Sequence, residues 1–203
     1  MQSVWFSDRK YYPSKIVCVG RNYVEHIHEL GNEVPSQMVL FNKPNSAITD
    51  MLFFIQEDCR FEGEICFLIE KGEILGIGFG LDLTKAQLQN HLKSKGLPWE
   101  RAKAFDKSAV FSKFVPLKGD IKTVEMKLYI NDKLVQYATY DLMMYKPHEV
   151  ISEVKSFMSL EDGDIIMSGT PKGVGTYQLH DVFKAELFMD GELLLQEHFE
   201  VVA

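Results

Sequence analysis

The chain has 203 residues, 46% hydrophobic and 25% charged, which is enough for one substantial core and shows no shift in composition that would force a second domain. A formal net charge of −7 without clustered Lys and Arg argues against a nucleic-acid or anionic-membrane surface and leaves small molecules as the expected partners. Cys18, Cys59 and Cys66 are odd in number and lack a CxxC spacing, no apolar run approaches the roughly 20 residues that cross a bilayer, and no secretory leader pattern opens the chain, so a reducing, cytoplasmic setting is expected.

Residues 1–15 read as an N-terminal extension to a single domain spanning 1–203. Ile16 to Val19 is a short apolar strand, turned by Gly20-Arg21-Asn22-Tyr23 into a helix whose apolar spacing uses Val24, Ile27 and Leu30. Met38 to Phe41 is a brief strand that Asn42-Lys43-Pro44-Asn45-Ser46 should stop. Further strands are expected over Glu64 to Ile69, Ile74 to Gly78, Glu125 to Ile130, Asp164 to Ser168, Val182 to Met189 and Leu193 to Val202. Helices are expected over Lys85 to Lys95 and His148 to Ser159, the latter with Pro147 near its start. Asn131-Asp132 and Asp190-Gly191 read as hairpin turns. The balance is strand-rich α+β, without an alternating βαβ rhythm, repeat or linker.

Within this frame Phe61-Glu62-Gly63-Glu64 stands out. On a strand, Glu62 and Glu64 share a face next to Ile65, Phe67 and Ile69, which want a core. Asp82, in Gly80-Leu81-Asp82-Leu83-Thr84, adds a third hard oxygen ligand, and the set suits Mg²⁺ or Mn²⁺, although two solvated acids on an exposed edge would give the same spacing. The glycines Gly76, Gly78 and Gly80 suggest a place where a ligand or another backbone comes close. His26 and Glu29 share one helix side, where the carboxylate would orient the imidazole; an ordinary surface pair fits equally. Lys103, in Ala102-Lys103-Ala104-Phe105, is either partnered, stabilising an oxyanion, or a snorkelling surface lysine. Ser168-Gly169-Thr170-Pro171-Lys172-Gly173-Val174-Gly175 offers a hydroxyl and backbone amides that could cradle a carboxylate, and is neither a Walker A loop nor a dinucleotide fingerprint.

Taken in order, GRNYVEHIHEL, LFNKP, FEGE, LDLT, GLPWERAKAFD and GDIIMSGTPKGVG resemble the fumarylacetoacetate hydrolase family over residues 16 to 200, and most of all its small single-domain members. The resemblance implies a mixed β-sandwich roll with flanking helices, usually a homodimer, with Mg²⁺ or Mn²⁺ held by Glu62, Glu64 and Asp82. It makes residues 20–31 a lid carrying a His26–Glu29 catalytic dyad, places Lys103 at the oxyanion, and matches Arg21, Lys43, Gln89 and Thr170 to substrate-binding positions. Asn22 and Tyr23 would be structural. The implied chemistry acts on small 2-oxo or β-dicarbonyl acids through a metal-chelated enolate: hydrolysis of acylpyruvates, or decarboxylation or keto–enol tautomerisation of oxaloacetate. Isomerisation of a 2-hydroxydienedioate from aromatic catabolism is the alternative.

The chain departs from the family pattern in places. Ala86 and Gln87 stand where relatives commonly carry Arg-Asp, Arg60-Phe61 where many have two histidines, and Glu70-Lys71-Gly72-Glu73 leaves room only for a hairpin turn where relatives have a helix. These departures also fit a degenerate relative that binds metal or a small acid without turnover.

Overall fold

A computed structural model gives the structure, describing every residue except Leu30, Asn32 and Glu57. From the N-terminus, β1 (Val4–Phe6) and β2 (Arg9–Tyr11) form a hairpin ahead of β3 (Lys15–Gly20), helix α1 (Val24–Glu29) and β4 (Val39–Pro44). The two-residue strands β5 (Ile48–Thr49) and β6 (Leu52–Phe53) precede β7 (Cys59–Phe61), the long pair β8 (Gly63–Glu70) and β9 (Glu73–Asp82), and β10 (Thr84–Lys85). Helices α2 (Ala86–Ser94) and α3 (Glu100–Lys103) follow, then β11 (Ala109–Phe111), β12 (Val115–Pro116), β13 (Glu125–Ile130) and β14 (Lys133–Thr139). The chain closes with α4 (Pro147–Phe157), β15 (Ile165–Met167), β16 (Gly175–Thr176), β17 (Val182–Met189) and β18 (Glu192–Val202).

The larger sheet runs β4-β3-β15-β8-β9-β11-β5, with β12 also paired to β9; the second runs β14-β13-β17-β18-β6, and β10-β7-β16 forms a small ribbon. Val17, Ile65, Phe67 and Phe79 of the first sheet meet Leu128, Phe183, Leu187 and Phe199 of the second in the main core. The far face of the larger sheet, with Ile16, Cys18, Cys66, Leu68 and Met167, is covered by Val4, Tyr11 and Phe114. Residues 1–15, expected as an extension, therefore help to roof that second face. A sheet buried on both sides explains why Gly63–Glu70 reads as a continuous apolar run and not as an alternation. The architecture is the strand-rich α+β sandwich roll expected from the sequence.

The hairpin turns hold as well. Asn131-Asp132 and Asp190-Gly191 have both central residues at positive φ, the primed-turn geometry that matches strand twist. Two expectations need correction. The Asn42-Lys43-Pro44 segment continues β4 instead of ending it, because β4 is an edge strand bonded only to β3 and Pro44 needs no donor on the free side. The strand expected to end at Gly78 runs on through the glycines to Asp82. Strands β1, β2, β11 and β14 went unread, being short or amphipathic in composition. Leu30, expected in the first helix, lies outside the described residues. No helix among the described residues is long and apolar enough to cross a membrane.

Candidate active site

The three carboxylates are brought together by strand register. Glu64 on β8 lies opposite Gly80 on β9, and the Asp82 N–H donates to Glu62 O (2.9 Å), so all three acids project from the face that carries Cys66 and Leu68. Oxygens of Glu62, Glu64 and Asp82 lie within 4.8 Å of one another, and they are the one such acidic, His or Cys trio found among the described residues. Glu64 and Asp82 are buried, which excludes the solvated-edge alternative for them, and Glu62 is largely covered. The glycines bear out one of the two uses their spacing suggested, since a Cβ on Gly76 would lie 2.7 Å from Val115 O of a neighbouring backbone. A Cβ on Gly76 would lie 2.5 Å from the Phe6 ring, and one on Gly80 2.7 Å from Cys66 Sγ and 2.9 Å from the Phe111 ring. They admit that backbone and the aromatic side chains of the second core, not a ligand.

Two lysines neutralise part of this charge. Lys103 Nζ donates to Glu62 Oε2 (2.9 Å), Asp82 Oδ2 (2.8 Å) and Thr84 Oγ1 (2.6 Å), while Thr84 donates on to Glu62 Oε1 (2.8 Å). Lys43, fully buried, pairs with Asp82 Oδ1 at 2.8 Å and donates to Leu83 O (3.3 Å), Ser108 O (3.0 Å) and Lys103 O. Burial pulls the Lys103 ammonium towards deprotonation, but Asp82 and Glu62 reverse this and hold its pKa above the ordinary lysine value. For Asp82 burial acts to raise the pKa, and Lys103 and Lys43 outweigh it, so the carboxyl stays below its usual value. Glu64 differs. Burial, then the charges of Asp82 and Glu62, push it well above the ordinary carboxylate range, although it accepts the Gly169 N–H at 2.7 Å. A buried acid left short of positive charge beside two others, all hard oxygen donors, fits a divalent ion of the Mg²⁺ or Mn²⁺ type.

Across the cavity stands α1. His26 is buried, with Nδ1 3.1 Å from Glu29 Oε2. Both Glu29 oxygens accept the Gly173 N–H (2.9 and 3.2 Å), so the carboxylate is an acceptor towards the imidazole too and assigns the Nδ1 proton to that contact. Asn22, completely buried, anchors the start of the segment: Nδ2 donates to Ser168 O (2.8 Å) and Tyr145 O (3.0 Å), and Oδ1 accepts the Tyr145 N–H (2.7 Å). The loop expected to cradle a carboxylate does so, but the acids it binds are the protein's own, Glu64 at Gly169 and Glu29 at Gly173. Gly173 has φ +100°, and a Cβ there would lie 2.0 Å from Val135 O, so glycine is required.

The cavity of about 50 Å³ between these walls is lined by His26, Glu62, Glu64, Asp82 and Lys103, by Arg21, Gln89 and Thr170, and also by Phe41, Lys93 and Trp99. Lys43 is absent from the lining. Expected to contact substrate, it instead sits behind Asp82 with its donors committed. Thr170 does reach the cavity, but its hydroxyl donates to Gly63 O (2.9 Å) and accepts from Gln136 Nε2 (2.8 Å). Gln136 went unnoticed in the sequence because β14 did. Lys93 and Trp99 went unnoticed too, though Lys93 lies one helical turn after Gln89 and so on its face. Ala86 is buried at the start of α2, and the Gln87 N–H donates to Asp58 Oδ2 (3.1 Å); neither lines the cavity.

Residues 15–198 match the fumarylacetoacetate (FAA) hydrolase C-terminal family. The chain belongs to the fumarylacetoacetate hydrolase family. It is 38% identical over 190 residues to the oxaloacetate tautomerase YcgM of Escherichia coli, covering 84% of this chain and 87% of that protein. It is 33% identical over 211 aligned positions to the mitochondrial oxaloacetate tautomerase oaa1 of Schizosaccharomyces pombe, covering 93% of this chain and 96% of that one. Among solved structures, fumarylpyruvate hydrolase from Pseudomonas aeruginosa in complex with Mn²⁺ and pyruvate superposes with a TM-score of 0.89 at 27% identity, over 99% of this chain and 95% of that one. Within this family frame β8 and β9 are joined directly at Lys71-Gly72, as the sequence led us to expect.

Proposed function

We propose that the protein is a divalent-metal-dependent enzyme for small 2-oxo acids, and that keto–enol tautomerisation of oxaloacetate is its reaction. The observation that carries this reading is one cavity in which three carboxylates and Lys103 face the His26–Glu29 dyad. The similarity to two oxaloacetate tautomerases supports it. Glu62, Glu64 and Asp82 would hold Mg²⁺ or Mn²⁺, which when bound supplies Lewis-acid polarisation of the acid's oxygens. Lys103, kept protonated, contributes a fixed positive charge to an oxygen that becomes negative as the enolate forms. His26, with Nδ1 held by Glu29, has Nε2 left to exchange the proton at C3, so that the enol gains a proton there while its hydroxyl proton passes to solvent. Lys43 positions Asp82, and the Gln136–Thr170 pair shapes the floor. Arg21 and Gln89 supply donors for the acid's carboxylate ends.

A second reading, hydrolytic cleavage of an acylpyruvate to pyruvate, is favoured by the fumarylpyruvate hydrolase likeness and by the 570 Å³ groove beyond Phe41 and Trp99, which could take a longer acyl tail. We extend both readings to a homodimer, as the family resemblance implies; light scattering checks it. Following enol absorbance and pyruvate release side by side decides the reaction. Enol loss without pyruvate supports the tautomerase, pyruvate from oxaloacetate a decarboxylase, pyruvate from acylpyruvates the hydrolase, and no turnover with metal bound a non-catalytic binder.

A further inference from the structure

We propose that Gln136 is a positioning residue of this site. From the second sheet it ties Gly63, the residue between Glu62 and Glu64, to the 170–173 turn that holds Glu29, and so sets the acidic trio and the His26–Glu29 dyad at their working separation. This rests on the reading of the cavity as a metal-dependent 2-oxo-acid site and adds the residue that joins its two walls. Among the described residues Gln136 is the one buried polar side chain on the second sheet, which otherwise sends apolar side chains into the main core. A buried amide in such a place is costly unless its polar groups are bonded.

Its bonds run to both walls. Oε1 accepts the Gly63 N–H (2.9 Å), and Nε2 donates to Thr170 Oγ1 (2.8 Å) and Pro171 O (3.0 Å), while the Thr170 hydroxyl donates back to Gly63 O (2.9 Å). The N–H and the carbonyl of Gly63 are thereby closed into one ring with the loop. A Cβ on Gly63 would lie 2.8 Å from Gln136 Oε1 and 2.8 Å from Leu128 Cδ2, so glycine at this place lets the amide approach between the two glutamates. The stem of Gln136 backs the turn as well: a Cβ on Gly173 would lie 3.3 Å from Gln136 Cγ, and it is the Gly173 N–H that both Glu29 oxygens accept. Lys43 and Lys103 are bonded on the inner wall and Asn22 to Ser168 and Tyr145, whereas Gln136 bonds to Gly63 and to the loop at once. A closed ring of hydrogen bonds in a dry interior fixes the relative positions of its members, and a dyad displaced by about 1 Å would lose much of its effect on the reacting atoms.

Gln136→Met keeps a similar shape but none of the hydrogen bonds. Turnover of enol-oxaloacetate and calorimetric binding of Mn²⁺ are measured for this change in two backgrounds, wild type and His26→Ala. In the wild type it should lower kcat by about tenfold to a hundredfold with KM little changed, and weaken Mn²⁺ by about tenfold. In His26→Ala the further loss of kcat should shrink to within about threefold, because the dyad that Gln136 positions is already gone, while the weakening of Mn²⁺ persists. A role in folding alone would cost the same factor of kcat in both backgrounds; that result, or unchanged Mn²⁺ affinity, overturns the inference. Where Gln136→Met does not fold, Gln136→Glu replaces it, keeping the oxygen that accepts the Gly63 N–H and, when ionised, giving up the donors to Thr170 and Pro171. It should lower kcat by about tenfold in the wild type and by no more than about threefold in His26→Ala, and equal factors overturn the inference. If the wild type binds Mn²⁺ without accelerating enol loss, the tautomerase reading fails by itself and Mn²⁺ affinity decides the inference: weakening in Gln136→Met sustains it, and unchanged affinity overturns it.

Discussion

On the inner wall, Glu64 and Asp82 project from neighbouring strands of a sheet buried on both faces and are tied to Lys43, Lys103 and the Gly169 N–H, whereas on the outer wall His26 and Glu29 ride on a six-residue helix held by hydrogen bonds from Gly173 and through Asn22. The inner groups are part of the core, so their geometry is fixed by folding. The outer groups depend on polar contacts with the 168–175 loop and with Tyr145, and on the buried side chains of Tyr23 and Ile27. Substitutions on the two walls should therefore separate into losses of stability and losses of turnover.

Lys43→Met tests the inner wall hardest. It strips a charge partner from buried Asp82 and leaves the carbonyls of Leu83, Lys103 and Ser108 without that donor, so urea unfolding should show a loss of about 3–5 kcal/mol. His26→Ala tests the outer wall. Turnover should fall by about a hundredfold to a thousandfold while the heat of metal binding and the unfolding midpoint stay near wild type. An equal loss of stability in His26→Ala would erase the distinction between the walls. Glu29→Gln should act more gently: the amide oxygen can still accept the Gly173 N–H, but the amide nitrogen competes with the Nδ1 proton, and kcat should drop by about tenfold with KM little changed.

The smallest effect is one of pH. Burial and neighbouring charge raise the Glu64 pKa, so a metal has to displace a proton there, and stabilisation by Mg²⁺ in thermal unfolding should grow as pH rises out of the acid range, beginning above the ordinary carboxylate value of about 4. Asp164 provides the contrast. Burial alone would raise its pKa, but Lys15, the Glu161 and Lys15 backbone N–H groups and Ser14 hold it low. A carboxyl depressed in the folded state contributes stability above its unfolded pKa and loses it as pH falls through the folded value, so this contribution disappears only below about pH 4. Metal response and acid unfolding should consequently occupy different windows.

Much of the site could be read from residue types: Glu62 and Glu64 on one face, His26 beside Glu29, and a lysine in an apolar setting at Lys103. What sequence could not show is why Asp82 joins them. The tight turn at Lys71-Gly72 pairs Glu70 with Glu73 and Ile69 with Ile74, and a bulge between Leu68 and Ile69 then shifts the register by one. Without that bulge Phe79 and Leu81 would share the Glu64 face and Asp82 would point into the other core. A one-residue irregularity in the middle of an apolar run leaves no compositional trace. Lys43 was misplaced for a related reason: Asn-Lys-Pro-Asn reads as a stop, and only the free edge of β4 lets the strand continue through it. Lys93 lay in plain view on the Gln89 face but reads like any solvated helix lysine until the cavity is seen.

The most direct test of the central claim follows the absorbance of enol-oxaloacetate with the purified protein and Mn²⁺, before and after chelation. The account predicts a loss of enol faster than the uncatalysed rate, abolished by the chelator, restored by added metal and slowed by about a hundredfold to a thousandfold in His26→Ala. Enol loss at the uncatalysed rate while calorimetry shows the metal bound, or an acceleration untouched by the chelator, would contradict it.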